Sequence, residues 1–226
     1  MTSFESFLYN YSRTPLYVIK GYTNYNTYGL LDLSFANKDL NTISNAEEFE
    51  NYIHSMLEKQ RKKVAYGGYQ ETRTIYKRSS HFNTKNTLEE RNIHLGIDFW
   101  CTVNTPIIAP LEGKIHSFKN NTAFGDYGPT IILEHQIDST VFYTLYGHLS
   151  LSSIANLKVG ELVNEGSVIG YLGESSINGD YAPHLHFQII KDIGGNYGDF
   201  KGVTSLRDKE QDFINCPDPN LLLKIV

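Results

Sequence analysis

Apolar positions recur in two different rhythms along this chain. In "SNAEEFENYIHSMLEKQRKK", which begins at Ser44, Phe49, Tyr52, Ile53, Met56 and Leu57 fall at helical spacing. Ser44 as N-cap with Glu47 three residues on reads as a capping box, so one long helix is predicted here. Before it, "PLYVIKGY" and "GLLDLSF" predict short strands separated by the turn "TNYNTY". After it, "VAYGGYQETRTIY" and the polar stretch "KRSSHFNTKNTLEERN" lead onward with too little Gly, Ser and Pro for a flexible linker. From about residue 91 the rhythm changes to short β-prone runs broken by turns: "IHLGIDFW", "TPIIAP", "GKIHSF", "TIILEH", "VFYTLYGHL", "GSVIGYLG" and "HLHFQII". The predicted fold is mainly β: an antiparallel, β-sandwich-like domain over 91–226 behind an N-terminal α+β extension over 1–90 that contains one long helix. "AP-EGKI" and the later "VGELVNEGSVIGYLG" also suggest an internal near-repeat.

A length of 226 residues allows a full core in one large domain or in a domain with a sizeable extension. The negative mean hydropathy and the lack of a long apolar run exclude a membrane-spanning helix. A net charge of −5 gives no footprint for nucleic acid, and the basic run "KQRKKV" at 59–64 sits where the predicted helix ends and complements its dipole. The first residues lack a basic start followed by an apolar stretch, which predicts a cytoplasmic protein, or an exported one if the natural chain begins further upstream. Cys101 and Cys216 are far apart and predict two buried thiols rather than a disulfide or a thiolate metal site.

Candidate chemistry gathers in three places. "HLGID" holds His94 and Asp98 at i and i+4, with Gly96 between them where the backbone needs freedom or close approach. "LYGHLS" puts His148 at the end of a β-prone run, and "HLHFQ" puts His184 and His186 two residues apart, so that on a strand both face one side and Leu185 the other. Catalytic zinc takes three protein ligands from His and carboxylate and keeps one position open. His94, Asp98 and one histidine of the pair supply such a set; the other histidine and His148 then stand beside the open position for proton transfer and oxyanion stabilisation. His54, His81, His116 and His135 show no such spacing and are expected to be structural.

With these three motifs in this order, the sequence resembles the lysostaphin-like zinc metallopeptidases, which cleave peptide cross-links of bacterial cell walls. The family pattern H-x-x-x-D, Y-x-H-L and H-x-H-F stands here as "HLGID" (94–98), "YGHLS" (146–150) and "HLHFQ" (184–188). The connecting stretches "NTPIIAPLEGKI" (104–115) and "VGELVNEGSVIGYLG" (159–173) are similar as well, and the resemblance runs over roughly residues 91–190. It implies a β-sandwich-like fold, His94, Asp98 and His186 as zinc ligands, His148 and His184 as catalytic histidines, and an amide bond in a peptide or peptidoglycan-derived substrate as the target. "SSINGDYAP" before the histidine pair is longer and more polar than the family's usual turn, which implies a reshaped groove wall. The alternative is a non-catalytic binding module on the same β fold, distinguished by bound metal without turnover.

Overall fold

Thr2 opens the first helix of the computed structural model, which describes residues 1–74 and 86–225. Its hydroxyl accepts from the Glu5 backbone N–H while the Glu5 carboxylate accepts from the Thr2 backbone N–H, a reciprocal cap for α1 (Ser3–Tyr11). Phe4 and Leu8, one turn apart on α1, are buried, and Phe4 meets Phe142 edge-on at 5.7 Å between ring centroids. This helix was not anticipated from the sequence.

The long helix, α2 (Ala46–Gln60), forms one residue later than expected. Asn45, not Ser44, is the N-cap, because its side-chain oxygen accepts from the Glu48 N–H at 2.9 Å while Glu48, not Glu47, reaches back to the Ser44 N–H at 2.8 Å. Phe49, Ile53 and Leu57 form its buried stripe. Of the two strands expected before it, only β1 (Tyr28–Leu30) forms, and "PLYVIKGY" contributes a single bridge from Ile19 to Ile107.

The other strands are β2 (Val64–Gly67), β3 (Arg91–His94), β4 (Ile97–Trp100), β5 (Pro106–Ile108), β6 (Gly113–Asn121), β7 (Gly128–Ile137), β8 (Thr140–Gly147), β9 (Leu162–Val163), β10 (Val168–Tyr171), β11 (His184–Ile190) and β12 (Val203–Ser205). Short helices α3 (Leu151–Ile154), α4 (Lys209–Asn215) and α5 (Asn220–Leu223) complete the described elements. The fold is mainly β, as expected, but the layout differs from two matched antiparallel sheets. Among the described residues there is one large mixed sheet, ordered β1-β2-β4-β11-β8-β7-β6-β9, with two-stranded sheets β10-β5 and β12-β3 beside it. The β1–β2 pair is parallel; the other neighbours are antiparallel. β2 pairs with β4, so residues 28–67 lengthen the same sheet that the later residues build. The two stretches that suggested a near-repeat lie side by side: β6 pairs with β9, and β5, just before the first stretch, pairs with β10.

Strand alternation decides what faces the site. On β11, Leu185, Phe187 and Ile189 enter the main core with no exposed surface, together with Ile97 and Phe99 of β4 and Tyr146 of β8. Burying each such side chain contributes about 1.5–3 kcal/mol, enough to hold these strands in register. His184, His186 and Gln188 therefore share the opposite face with Asp98 and Trp100.

Candidate metal centre and catalytic cleft

Register brings the expected site residues together. β11 runs antiparallel to β4 with His186 opposite Asp98 and His184 opposite Trp100, and β8 places Gly147 opposite His186 on the other side. His148 follows directly at the end of β8, in a left-handed backbone conformation (φ 62°) held by its N–H to the Tyr127 carbonyl at 2.8 Å. Gly96 is there for close approach: a Cβ on it would lie 2.6 Å from the Phe187 carbonyl oxygen and 2.7 Å from the His186 ring.

His94 Nε2, Asp98 Oδ1 and His186 Nδ1 converge on one point. The two ring nitrogens are 2.8 Å apart, and they stand 3.2 Å (His94) and 3.1 Å (His186) from the carboxylate oxygen. The second nitrogen of each ring fixes what the converging one carries. His94 Nδ1 faces the Gly68 carbonyl oxygen at 3.0 Å, so it must donate. His186 Nε2 faces Gln188 Oε1 at 2.9 Å, with the Tyr127 hydroxyl at 3.3 Å. The Gln188 amide is itself oriented, because its Nε2 donates to the Lys201 carbonyl at 3.1 Å and lies 3.2 Å from Cys216 Sγ. His186 Nε2 therefore carries a proton, and the trio turns His94 Nε2, His186 Nδ1 and a carboxylate oxygen toward one another.

Such a cluster needs a positive charge at its centre. A proton is a poor choice for His94: burial, followed by the nearby Arg73 guanidinium, pushes its pKa down to about 3. Burial opposes the charge on Asp98, but the Arg73 guanidinium beside it helps hold its carboxyl well below the usual carboxylate range. Two imidazole nitrogens and a carboxylate oxygen are zinc ligands, and tetrahedral ligands at roughly 2.0–2.1 Å from zinc lie about 3.3 Å apart, close to the separations found. Donation of each distal ring N–H to a carbonyl or amide oxygen is the usual support for metal-bound histidine. The residues fit a zinc ion, and this trio is the one group of potential ligands so placed among the described residues.

His148 and His184 stand beside the trio with ring centroids 4.0 Å apart. His148 Nδ1 donates to the Asn178 carbonyl at 2.7 Å and His184 Nδ1 to the Ala182 carbonyl at 2.8 Å, leaving Nε2 of each as an acceptor. Burial lowers both: His148 well below its ordinary value, with the neighbouring His184 adding to the effect, and His184 to about 4. Both are neutral near pH 7. Trp100 stacks on His184 at 5.6 Å and Tyr181 meets His148 edge-on at 5.1 Å. Asn178 and Tyr181 belong to the "SSINGDYAP" stretch, and Tyr181 lines the cleft.

All five residues line a cleft of ≈ 250 Å³. Leu33, Phe49 and Arg73 from the first 90 residues also line it, as do Tyr127 and Lys201. Sequence reasoning missed Gln188, Tyr127 and Arg73. Gln188 could have been found, two residues after His186 on the same strand face; nothing local marks the other two. His54 is exposed on α2, His116 is half-buried and His135 is buried between the Glu112 carbonyl and the Thr144 hydroxyl, and none of the three lines this cleft. His81 lies outside the described residues. Both cysteines are free; Cys216 is buried, whereas Cys101 is only half-buried, a departure from expectation at the end of β4.

Residues 92–199 match the model of peptidase family M23. That stretch is an M23 peptidase domain, similar to lysostaphin. Over 96 residues it is 35% identical to lysostaphin of Staphylococcus staphylolyticus, covering 42% of this chain and 18% of the relative. It is 28% identical over 144 residues to an L-Ala–D-Glu endopeptidase of Bacillus subtilis, covering 62% of this chain and 42% of that protein. The chain thus spans less than half the length of these curated relatives. Among solved structures, the catalytic domain of lysostaphin from Staphylococcus simulans aligns at 25% identity over 80% of this chain and 99% of that domain, with a TM-score of 0.47. All five site residues fall inside the M23 match, whereas Arg73, Gly68 and Gln70 precede it. The relatives are named as peptidases and endopeptidases, which are hydrolases.

Proposed function

We propose that this chain is a zinc metallopeptidase that cleaves an amide bond in a peptide or peptidoglycan-derived substrate. The observation that supports it best is the convergence of three ligand atoms, His94 Nε2, Asp98 Oδ1 and His186 Nδ1, on one point in a cleft that also holds two neutral histidines. When bound there, zinc supplies a Lewis acid that acidifies water and polarises a carbonyl. The chain's own residues do the rest. His148 and His184 accept and return protons at Nε2: one ring takes the proton that an attacking water loses, and the departing amine takes a proton from the same pair. Their carbonyl partners, Asn178 and Ala182, hold the rings in the tautomer this requires. Once protonated, the pair donates to the oxygen of the tetrahedral intermediate. Leu33, Phe49 and Trp100 form an apolar wall that excludes water from one side of the cleft.

The binding-module alternative is separated by one experiment. Purified protein is assayed for zinc by elemental analysis and incubated with peptides containing glycyl-glycine, L-alanyl-D-glutamyl and D,D bonds. One zinc per chain with cleavage of at least one bond is expected. Zinc without cleavage across the panel would favour the binding module, and the lack of stoichiometric zinc would overturn the metal assignment.

A further inference from the structure

The match to the M23 family begins at residue 92, yet the metal centre does not. The strap of residues 67–73 folds back over it through backbone bonds: Gln70 N–H to the His94 carbonyl at 3.0 Å, His94 N–H to the Glu71 carbonyl at 3.0 Å and Arg73 N–H to the Asn92 carbonyl at 2.9 Å. It delivers the Gly68 carbonyl that sets the His94 tautomer. It also delivers Arg73, whose Nη1 donates to Asp98 Oδ2 at 2.6 Å and whose Nε donates to Glu71 Oε2 at 2.6 Å. Glu71 Oε1 is in turn tied to the Leu33 N–H at 2.8 Å. Arg73 and Asp98 are both almost wholly buried, so this pair is a designed contact and not a surface encounter. Gly68 makes the approach possible: at φ +109°, a Cβ would lie 1.8 Å from Arg73 Nη2 and 2.9 Å from His94 Nδ1.

We infer that Arg73 is a positioning residue of the metal centre, supplied from outside the matched domain. It occupies Oδ2 of Asp98 so that Oδ1 alone is offered beside His94 and His186, and Glu71 keeps the guanidinium from turning away. The inference rests on the zinc-peptidase reading and adds a requirement to it. A carboxylate held by one oxygen cannot chelate through both, which leaves the remaining side of the site open to water and substrate. The rigid fork of the guanidinium matters, because one ammonium cannot hold Asp98 and Glu71 in this planar geometry.

The test measures zinc affinity of the folded full-length chain by chelator competition, for the parent, Arg73→Met, Arg73→Lys and Glu71→Gln. Arg73→Met is expected to weaken zinc binding about 10- to 100-fold, the usual range for outer-shell partners. Arg73→Lys recovers only part of the loss, and Glu71→Gln shows a smaller loss in the same direction. Adding Glu71→Gln to Arg73→Met should weaken binding no further, since Glu71 acts through Arg73; a role confined to folding gives additive effects instead. On a cleaved peptide, kcat falls while KM stays near the parent value. If Arg73→Met does not fold, Arg73→Lys and Glu71→Gln decide the matter, and parent-like zinc affinity in both overturns the inference. A parent protein that binds zinc while its Arg73 variants bind equally well refutes only this inference. A parent that binds no zinc refutes the zinc-peptidase reading along with it.

Discussion

His184 and His186 sit two residues apart on one strand face, and replacing each with alanine should produce different losses. In His186→Ala, one of three converging ligand atoms disappears and Asp98 Oδ1 and His94 Nε2 are left facing a gap. Zinc and activity should both vanish. In His184→Ala, the trio keeps all its atoms. What is lost is a neutral ring stacked on Trp100, 4.0 Å from His148, and the donor to the Ala182 carbonyl. Leaving that buried carbonyl without its donor costs about 1–3 kcal/mol of stability, a loss a folded domain with several kcal/mol in hand tolerates. The catalytic loss is larger, because acid–base groups supply on the order of a hundred- to ten-thousand-fold in rate, or about 2.7–5.4 kcal/mol of barrier at 1.36 kcal/mol per decade. Elemental analysis, thermal melting and turnover on a cleaved peptide read the three quantities separately. Equal zinc loss from both variants would refute the division of roles. So would His184→Ala with full zinc and near-parent turnover.

Two further outcomes follow from the same geometry. Gln188→Leu removes the acceptor that fixes the His186 Nε2 proton, and zinc affinity measured by chelator competition should fall about 10- to 100-fold with the fold retained; an unchanged affinity would show that Tyr127 suffices. His135, remote from the metal ligands in sequence and structural in role, is buried neutral with its pKa lowered to about 4, so the unfolded chain binds its proton at higher pH than the folded one does. Its contribution is present above pH 6.5 and is lost as pH falls toward 4, at up to about 1.4 kcal/mol per pH unit; urea unfolding at pH 7, 6 and 5 should show a shallower decline for His135→Gln than for the parent.

The strands that carry the site were readable because each is a short apolar run closed by a turn, and the alternation on "HLHFQII" alone puts His184 and His186 on one side. The helix cap was misplaced by one residue because Ser44 and Asn45 are both good caps; the choice depends on which glutamate can fold back, and Glu48 does. α1 went unanticipated although Thr2 and Glu5 spell its cap, since its aromatic residues are weak helix formers and it is stabilised by docking Phe4 on Phe142. β2 is four residues long and takes its place through pairing with β1 and β4, contacts that each span more than thirty positions of sequence. Arg73 is illegible for the same reason: nothing in "YQETRT" announces that a glycine five residues earlier opens room for a guanidinium beside Asp98.

The shared sheet also limits how this protein can be shortened. A fragment starting where the family match starts would strip β2 from β4 and leave the backbone of Asp98 and Trp100 as a raw edge, with Trp100 uncovered where Phe49 had packed. Such an edge invites pairing with other chains. A minimal soluble version of this protein therefore has to begin before α2, and protein engineers seeking to graft its specificity onto another scaffold must transplant α2, β2 and the strap of residues 67–73 together with the histidines.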